Sequence, residues 1–264
     1  SLGSALWFGF STFSAPLIGG WLEHAARKGW NAWSFRVVYL VEMVLLTFAL
    51  ILALAFTRRR TPAHETPSDD EPGKGSGMTL RHMWLPALGF CQGLMVIVLM
   101  AWINPMTQAK FGVGDFRGGL AMGSVAFGLG VGRLLFARIR STGDDRKITG
   151  ISAALGGLLF ALGLASPFYS LTLACMAGGA LVSCPVGPCI MVLPQKMFAE
   201  QKARVLGYYQ ASIALAGLAG PSLVGALADR GIPIWIGAGL SPLGAFTMAA
   251  LAFLWIQWEP YKPT

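Results

Sequence analysis

Apolar residues fall in eight long runs separated by polar stretches. The runs cover approximately residues 2–22, 34–57, 84–105, 117–137, 148–167, 169–193, 205–228 and 233–257. A helix needs about 20 apolar residues to cross the hydrocarbon core of a bilayer. Every run meets that length, so the pattern predicts an all-α membrane protein with eight transmembrane helices. Closed β-barrels also satisfy their backbone in lipid, but their strands are short alternating segments that this sequence lacks. Residues 58–82 are rich in Pro, Ser, Thr, Gly and mixed charge. Such a stretch cannot bury a core and predicts a flexible linker. It divides residues 1–57, with two crossings, from residues 83–258, with six; residues 259–264 form a short tail.

Composition agrees with a membrane environment. Hydrophobic residues make up 55% of the 264 and charged residues only 12%, against about 25% charged in soluble domains. Mean hydropathy is +0.60. The 34 glycines suit helices that pack closely in lipid. The net charge of +8 raises the question of a nucleic-acid partner. The basic residues lie between the apolar runs, however, which favours basic loops at a membrane surface and no nucleic acid. With the 58–82 linker placed inside, 14 of the 20 Lys and Arg residues fall on the inner side and 6 on the outer. That asymmetry predicts that both ends of the chain are cytoplasmic, in a cell (inner) membrane. Cys91, Cys175, Cys184 and Cys189 all lie in apolar runs without metal-binding spacing, and read as small buried thiols.

The sequence repeats internally. Pro16, Gly20 and Leu22 match Pro221, Gly225 and Leu227 at a constant offset of 205 residues. Each match is followed by a short loop and one last apolar helix. Parallel repeats of this kind mark transporters. If the repeat unit is six helices, two crossings of a first half precede a complete second half, and a full chain has twelve helices in roughly 385 residues. The chain opens inside an apolar run at Ser1 with no initiator Met, so it is expected to continue a longer protein.

These features resemble the major facilitator superfamily over essentially the whole chain. Ala15-Pro16-x-x-Gly19-Gly20 is similar to that family's fifth-helix antiporter motif, with Ala15 in place of its first Gly. The 58–82 stretch resembles the central loop between the halves. Gly128-x-x-x-Gly132-Arg133 and the basic stretch to Lys147 resemble the loop between helices eight and nine. Phe136 stands there where the family has an acidic residue, and Asp144, Asp145 and Arg146 follow late. The run from Pro194 to Asp229, with Arg204, Gly207, Gly217, Gly220, Pro221 and Gly225, resembles the junction of helices ten and eleven. The resemblance implies a 6+6 fold, of which this chain carries helices five to twelve. By itself the chain would then lack half of a central cavity.

Functional candidates follow from residue type and position. Pro16 and Pro221 interrupt helix interiors, where each removes a backbone donor; they are read equally as bends that control opening or as packing features. Glu42 is the one acidic residue deep in an apolar run. Such a carboxylate is costly and suggests either proton coupling or a structural partner such as Arg36. By the resemblance, the cavity candidates are Gln92, Trp102, Asn104, Ser124, Tyr208, Tyr209, Gln210 and Ser212. Gln210, Ala214, Gly217 and Pro221 share one helical stripe, expected to be the packed or cavity-facing side. Arg133, at the end of its run, is read as a gate or anion attractor, or as a snorkelling residue.

There is no Walker A motif, no HExxH and no GxSxG. His24, His64 and His82 lie in or beside loops, and no metal or nucleophile constellation can be assembled. An enzyme is therefore not expected, and the resemblance implies instead a monomeric secondary transporter for small organic molecules. It would use protons as coupling ion, need no cofactor, and act by efflux. The alternatives are a proton-coupled uptake symporter for an organic anion, and a non-transporting receptor or scaffold on the same fold.

Overall fold

A computed structural model describes Val44 and residues 83–138, 144–198 and 201–258. The expected crossings at 2–22 and 34–57, the linker 58–82 and the tail 259–264 lie outside these residues. So do Ala15, Pro16, Gly19, Gly20 and Glu42.

The described chain is helical, with no strand among the described residues. Helix α1 (Trp84–Gly93) passes through a π-helical stretch (Leu94–Val98) into α2 (Leu99–Phe111). Then come α3 (Asp115–Arg138), α4 (Asp145–Ala165), α5 (Tyr169–Ser183), α6 (Val186–Met197), α7 (Lys202–Asp229), α8 (Ile234–Gly237) and α9 (Leu240–Trp258). They form six spans long and apolar enough to cross a membrane: Trp84–Phe111, Asp115–Phe136, Asp145–Ala165, Tyr169–Pro194, Ala203–Asp229 and Ile234–Trp258. These are the six crossings expected for residues 83–258, and the chain is an integral membrane protein. The first helix runs six residues past the apolar run, through Met106 to Phe111. Backbone hydrogen bonding does not stop where hydropathy falls, and Gly112 ends it at φ 63°, its N–H reaching the Gln108 carbonyl at 2.9 Å.

Between lipid-facing helices there is little hydrophobic driving force, so close contact of small residues decides which faces meet. Helix α1 lies on α7 and α9, α3 on α5, and α4 on α5 and α9. At the α1–α7 seam, a Cβ on Gly93 would lie 2.6 Å from the Ala216 Cβ and 2.8 Å from the Ile213 carbonyl oxygen. That approach selects the packed stripe of α7, which is Val205, Tyr209, Ala216, Gly220 and Val224. The stripe singled out from sequence lies mostly off this seam: Gln210 and Ala214 are exposed, and Gly217 and Pro221 half-buried. The helix wheel shows which residues share a face, but the partner's glycines choose between faces. On the outside of α4, Ile151, Leu155, Leu158 and Leu162 form an exposed stripe at i, i+4, i+7 and i+11, suited to hydrocarbon.

Candidate functional site

Two of the six spans depart from regular α-helix along their length, and the departures border one cleft. In the first span the α-helical register gives way to the π-helical stretch at Leu94. In the fourth, Pro185 lacks an N–H, and the helix breaks between Ser183 and Val186. The cleft between them has a volume of about 130 Å³. Met95, Val96, Ile97, Leu129 and Ile213 give it an apolar wall. Gln92, Arg133, Ser183 and Cys184 give it a polar one, and Gly187 leaves room at the break. At a rise of about 1.5 Å per residue, Gln92 is about 12 Å into its span from Trp84, and Ser183 about 21 Å from Tyr169. Arg133 is only about 4.5 Å from the end of its span at Phe136, so the cleft runs from mid-span towards one end of the bundle.

Arg133 is half-buried in this cleft, within hydrogen-bonding reach of the Cys184 thiol. Arg133 is three residues from the end of its span at Phe136, where a long basic side chain can turn into the cleft or reach towards the headgroups. Gln92 is held in place by Tyr209, whose hydroxyl donates to Oε1 of Gln92. Tyr209 itself is buried, and reaches the site through the hydrogen bond rather than as an open wall. Ser212 donates to the Tyr209 carbonyl at 2.7 Å and sits over Gly89, where a Cβ would come within 2.5 Å of its Oγ.

The remaining candidates sit elsewhere. Trp102 donates from Nε1 to the Pro221 carbonyl at 3.1 Å and covers Gly225, joining a cavity candidate to two motif residues at one crossing of the first and fifth spans. Asn104 lies towards the far end, where its Oδ1 accepts from Gln108 Nε2 at 2.7 Å; the same amide donates to Asp115 at 2.8 Å. Ser124 donates to the Ala121 carbonyl at 2.7 Å, within its own helix. Tyr208 accepts from Arg204 at 3.0 Å on an exposed surface. Gly128 and Gly132 set α3 directly against α5, and Gly217 and Gly220 face Ile97 and Val98. The structure thus brings Gln92, Arg133, Tyr209 and Ser212 to one neighbourhood and disperses the others.

Sequence reasoning missed Ser183, Cys184 and Gly187 as cleft residues. The available signal was Pro185-Val186-Gly187-Pro188 inside an apolar run, where two prolines and a glycine must disturb a helix. It also missed a buried ionic cluster at the end of the bundle that carries Lys196. Asp144 caps α4, accepting from the Arg146 backbone N–H at 3.0 Å and from its guanidinium at 3.0 and 2.9 Å. Arg146 is fully buried, with its guanidinium 5.3 Å from the Trp255 ring centroid. Trp84 stacks on Trp255 at 6.1 Å. Next to this, Lys196 pairs with Asp145 at 2.5 Å. Burial pushes the Asp144 carboxyl up, but hydrogen bonds from Arg146 and the charges of Arg146 and Lys147 outweigh it and hold the group below its ordinary value. The late Asp144-Asp145-Arg146 run is therefore a junction tying α4, α6 and α9 together. Among the described residues, no group of three or more His, Cys, Asp or Glu side chains could hold a metal ion. No family, curated protein or solved structure matches the chain.

Proposed function

We propose that the protein is a secondary active transporter that moves small organic molecules across its membrane by alternating access. The observation that carries this reading is the cleft inside the bundle, bordered by the π-helical stretch of one span and the turn at Pro185 of another, irregularities of a kind frequent at functional sites. Substrate sites in secondary transporters are typically formed near mid-membrane by discontinuous helices. The offset of 205 residues between the Pro16 and Pro221 segments supports a fold of two repeats. Together with the motif resemblance it favours a twelve-helix major facilitator carrier. Proton-driven efflux remains the first expectation for direction, on the fifth-helix motif. One feature favours uptake of an organic anion instead: among the described residues lining the cleft the charged one is Arg133, and none is a carboxylate.

The test is flux. The full-length gene product is reconstituted in liposomes under an imposed pH gradient and presented with lipophilic cations and organic anions. Saturable accumulation or release that collapses with the gradient supports the proposal. Substrate-driven proton release from acid-loaded vesicles identifies antiport, and anion entry together with protons identifies symport. Ligand binding without any saturable flux would replace the transporter by the receptor reading.

A further inference from the structure

We infer that the cleft is a binding site for a small monocarboxylate with a compact apolar body, its carboxylate on Arg133 and its body against the wall formed by Met95, Ile97 and Ile213. This rests on the transporter reading only in naming the ligand as cargo; the site itself stands on the cleft. Size comes first. A cavity of about 150 Å³ holds a benzene ring, so a cleft of about 130 Å³ takes one ring or a short branched chain, not a multi-ring drug. Polarity comes second. One side is aliphatic, and the other offers the Arg133 guanidinium, the Gln92 amide, and the Ser183 and Cys184 side chains. Charge comes third. With Arg133 present and no Asp or Glu among the described lining residues, the field these residues set up favours an anion and repels a cation, the more strongly because the surroundings are of low dielectric. A guanidinium presents parallel N–H donors that match a carboxylate.

Position supports the same assignment. Gln92 is oriented by Tyr209, which leaves its amide nitrogen near Gly187; a Cβ on Gly187 would lie 3.2 Å from that nitrogen. The glycine thus keeps the space beside a polar donor open at the helix break.

The experiment measures binding and flux separately. Purified full-length protein in lipid nanodiscs is titrated calorimetrically with benzoate, with benzyl alcohol as its neutral counterpart, and with benzylammonium as its cationic one. Benzoate is expected to bind most tightly and benzylammonium not at all. Arg133→Gln is expected to weaken benzoate about ten- to a hundredfold, the scale of a hydrogen bond to a charged group. Arg133→Lys keeps the charge and is expected to lose less. 4-Azidobenzoate photolabelling of the unmodified protein needs no variant, and its adducts are expected within 92–97, 129–133 or 183–187. Equal binding of benzoate and benzyl alcohol, undiminished benzoate binding in Arg133→Gln, or adducts confined to other segments would overturn the inference. Benzoate binding that needs Arg133 without saturable flux of any compound keeps the site and removes the transporter. Saturable flux of tetraphenylphosphonium without benzoate binding does the reverse.

Discussion

Replacing Gly132 by Ala tests whether direct backbone contact holds α3 against α5. A Cβ at this position would lie 2.7 Å from the Leu181 carbonyl oxygen and 2.7 Å from the Cys184 Cβ. Carbon–oxygen contacts settle at about 3.3 Å or more, and carbon–carbon contacts at about 3.5–4.0 Å. The helices must therefore part by roughly 0.6–1 Å. The Leu181 oxygen belongs to the backbone and cannot swing aside as a side chain can. Overpacking of this kind costs about 1–3 kcal/mol. The gain in helix propensity from Gly to Ala returns up to about 1 kcal/mol, so the net loss is about 1–2 kcal/mol. For a unit of this size, 1 kcal/mol moves Tm by about 2–4 °C, and the expected drop is about 2–8 °C. Gly178→Ala is the control, on the facing helix: its Cβ would meet only the Leu159 Cδ1, at 3.6 Å. The assay is thermal unfolding in dodecyl maltoside, followed by tryptophan fluorescence, on both variants in parallel. If Gly132→Ala is no less stable than Gly178→Ala, the helices are not in the contact described, and the reasoning fails.

Trp102→Phe keeps the ring but loses the donor to the Pro221 carbonyl, and is expected to lower Tm by about 2–4 °C, the scale of one hydrogen bond of about 1 kcal/mol; an unchanged Tm in the same assay would show that the bond contributes nothing. Lys196→Met strips the charge from the pair with Asp145, whose side chain is 6% exposed while that of Lys196 is 36% exposed. Breaking a fully buried pair costs about 3–5 kcal/mol, which the exposure of Lys196 reduces to about 1–2 kcal/mol. Adding Asp145→Asn should restore part of the loss, and strict additivity in this double-mutant cycle would disprove the coupling. Asp144 is more acidic folded than its ordinary value of 3.8, so the unfolded chain binds the proton more readily. Its contribution is complete above about pH 5 and is lost as pH falls through the folded value, below about 4. Tm should fall on acidification through that window, and Asp144→Asn should be less stable at pH 7 with a shallower acid decline. An equally steep decline in the variant would remove Asp144 from the account.

Much of the fold was legible because membrane insertion depends on properties local to the chain. A run of about 20 apolar residues defines a crossing without reference to its neighbours, and all six runs between 83 and 258 correspond to spans in the structure. The exposed Leu155 and Leu162 stripe is of the same kind, a periodicity written in one helix. Gln92 was singled out as a cavity candidate by the family resemblance, and Arg133 as a gate, an anion attractor or a snorkelling residue. Helix faces were another matter. Whether α7 presents Tyr209 or Gln210 to its neighbour depends on Gly89 and Gly93, more than 100 residues away. The cleft likewise exists only where the break before Val186 meets the π-helical stretch at Leu94, brought together by helices whose sequences carry no record of each other. The ionic junction has the same character: Asp144, Asp145 and Arg146 read as ordinary loop charges until Lys196 and Trp255 arrive from two other helices. The chain alone thus fixed which segments enter the membrane, because transfer energy adds residue by residue along the sequence. The meeting of side chains was left to tertiary packing, because close approach is decided jointly by both partners.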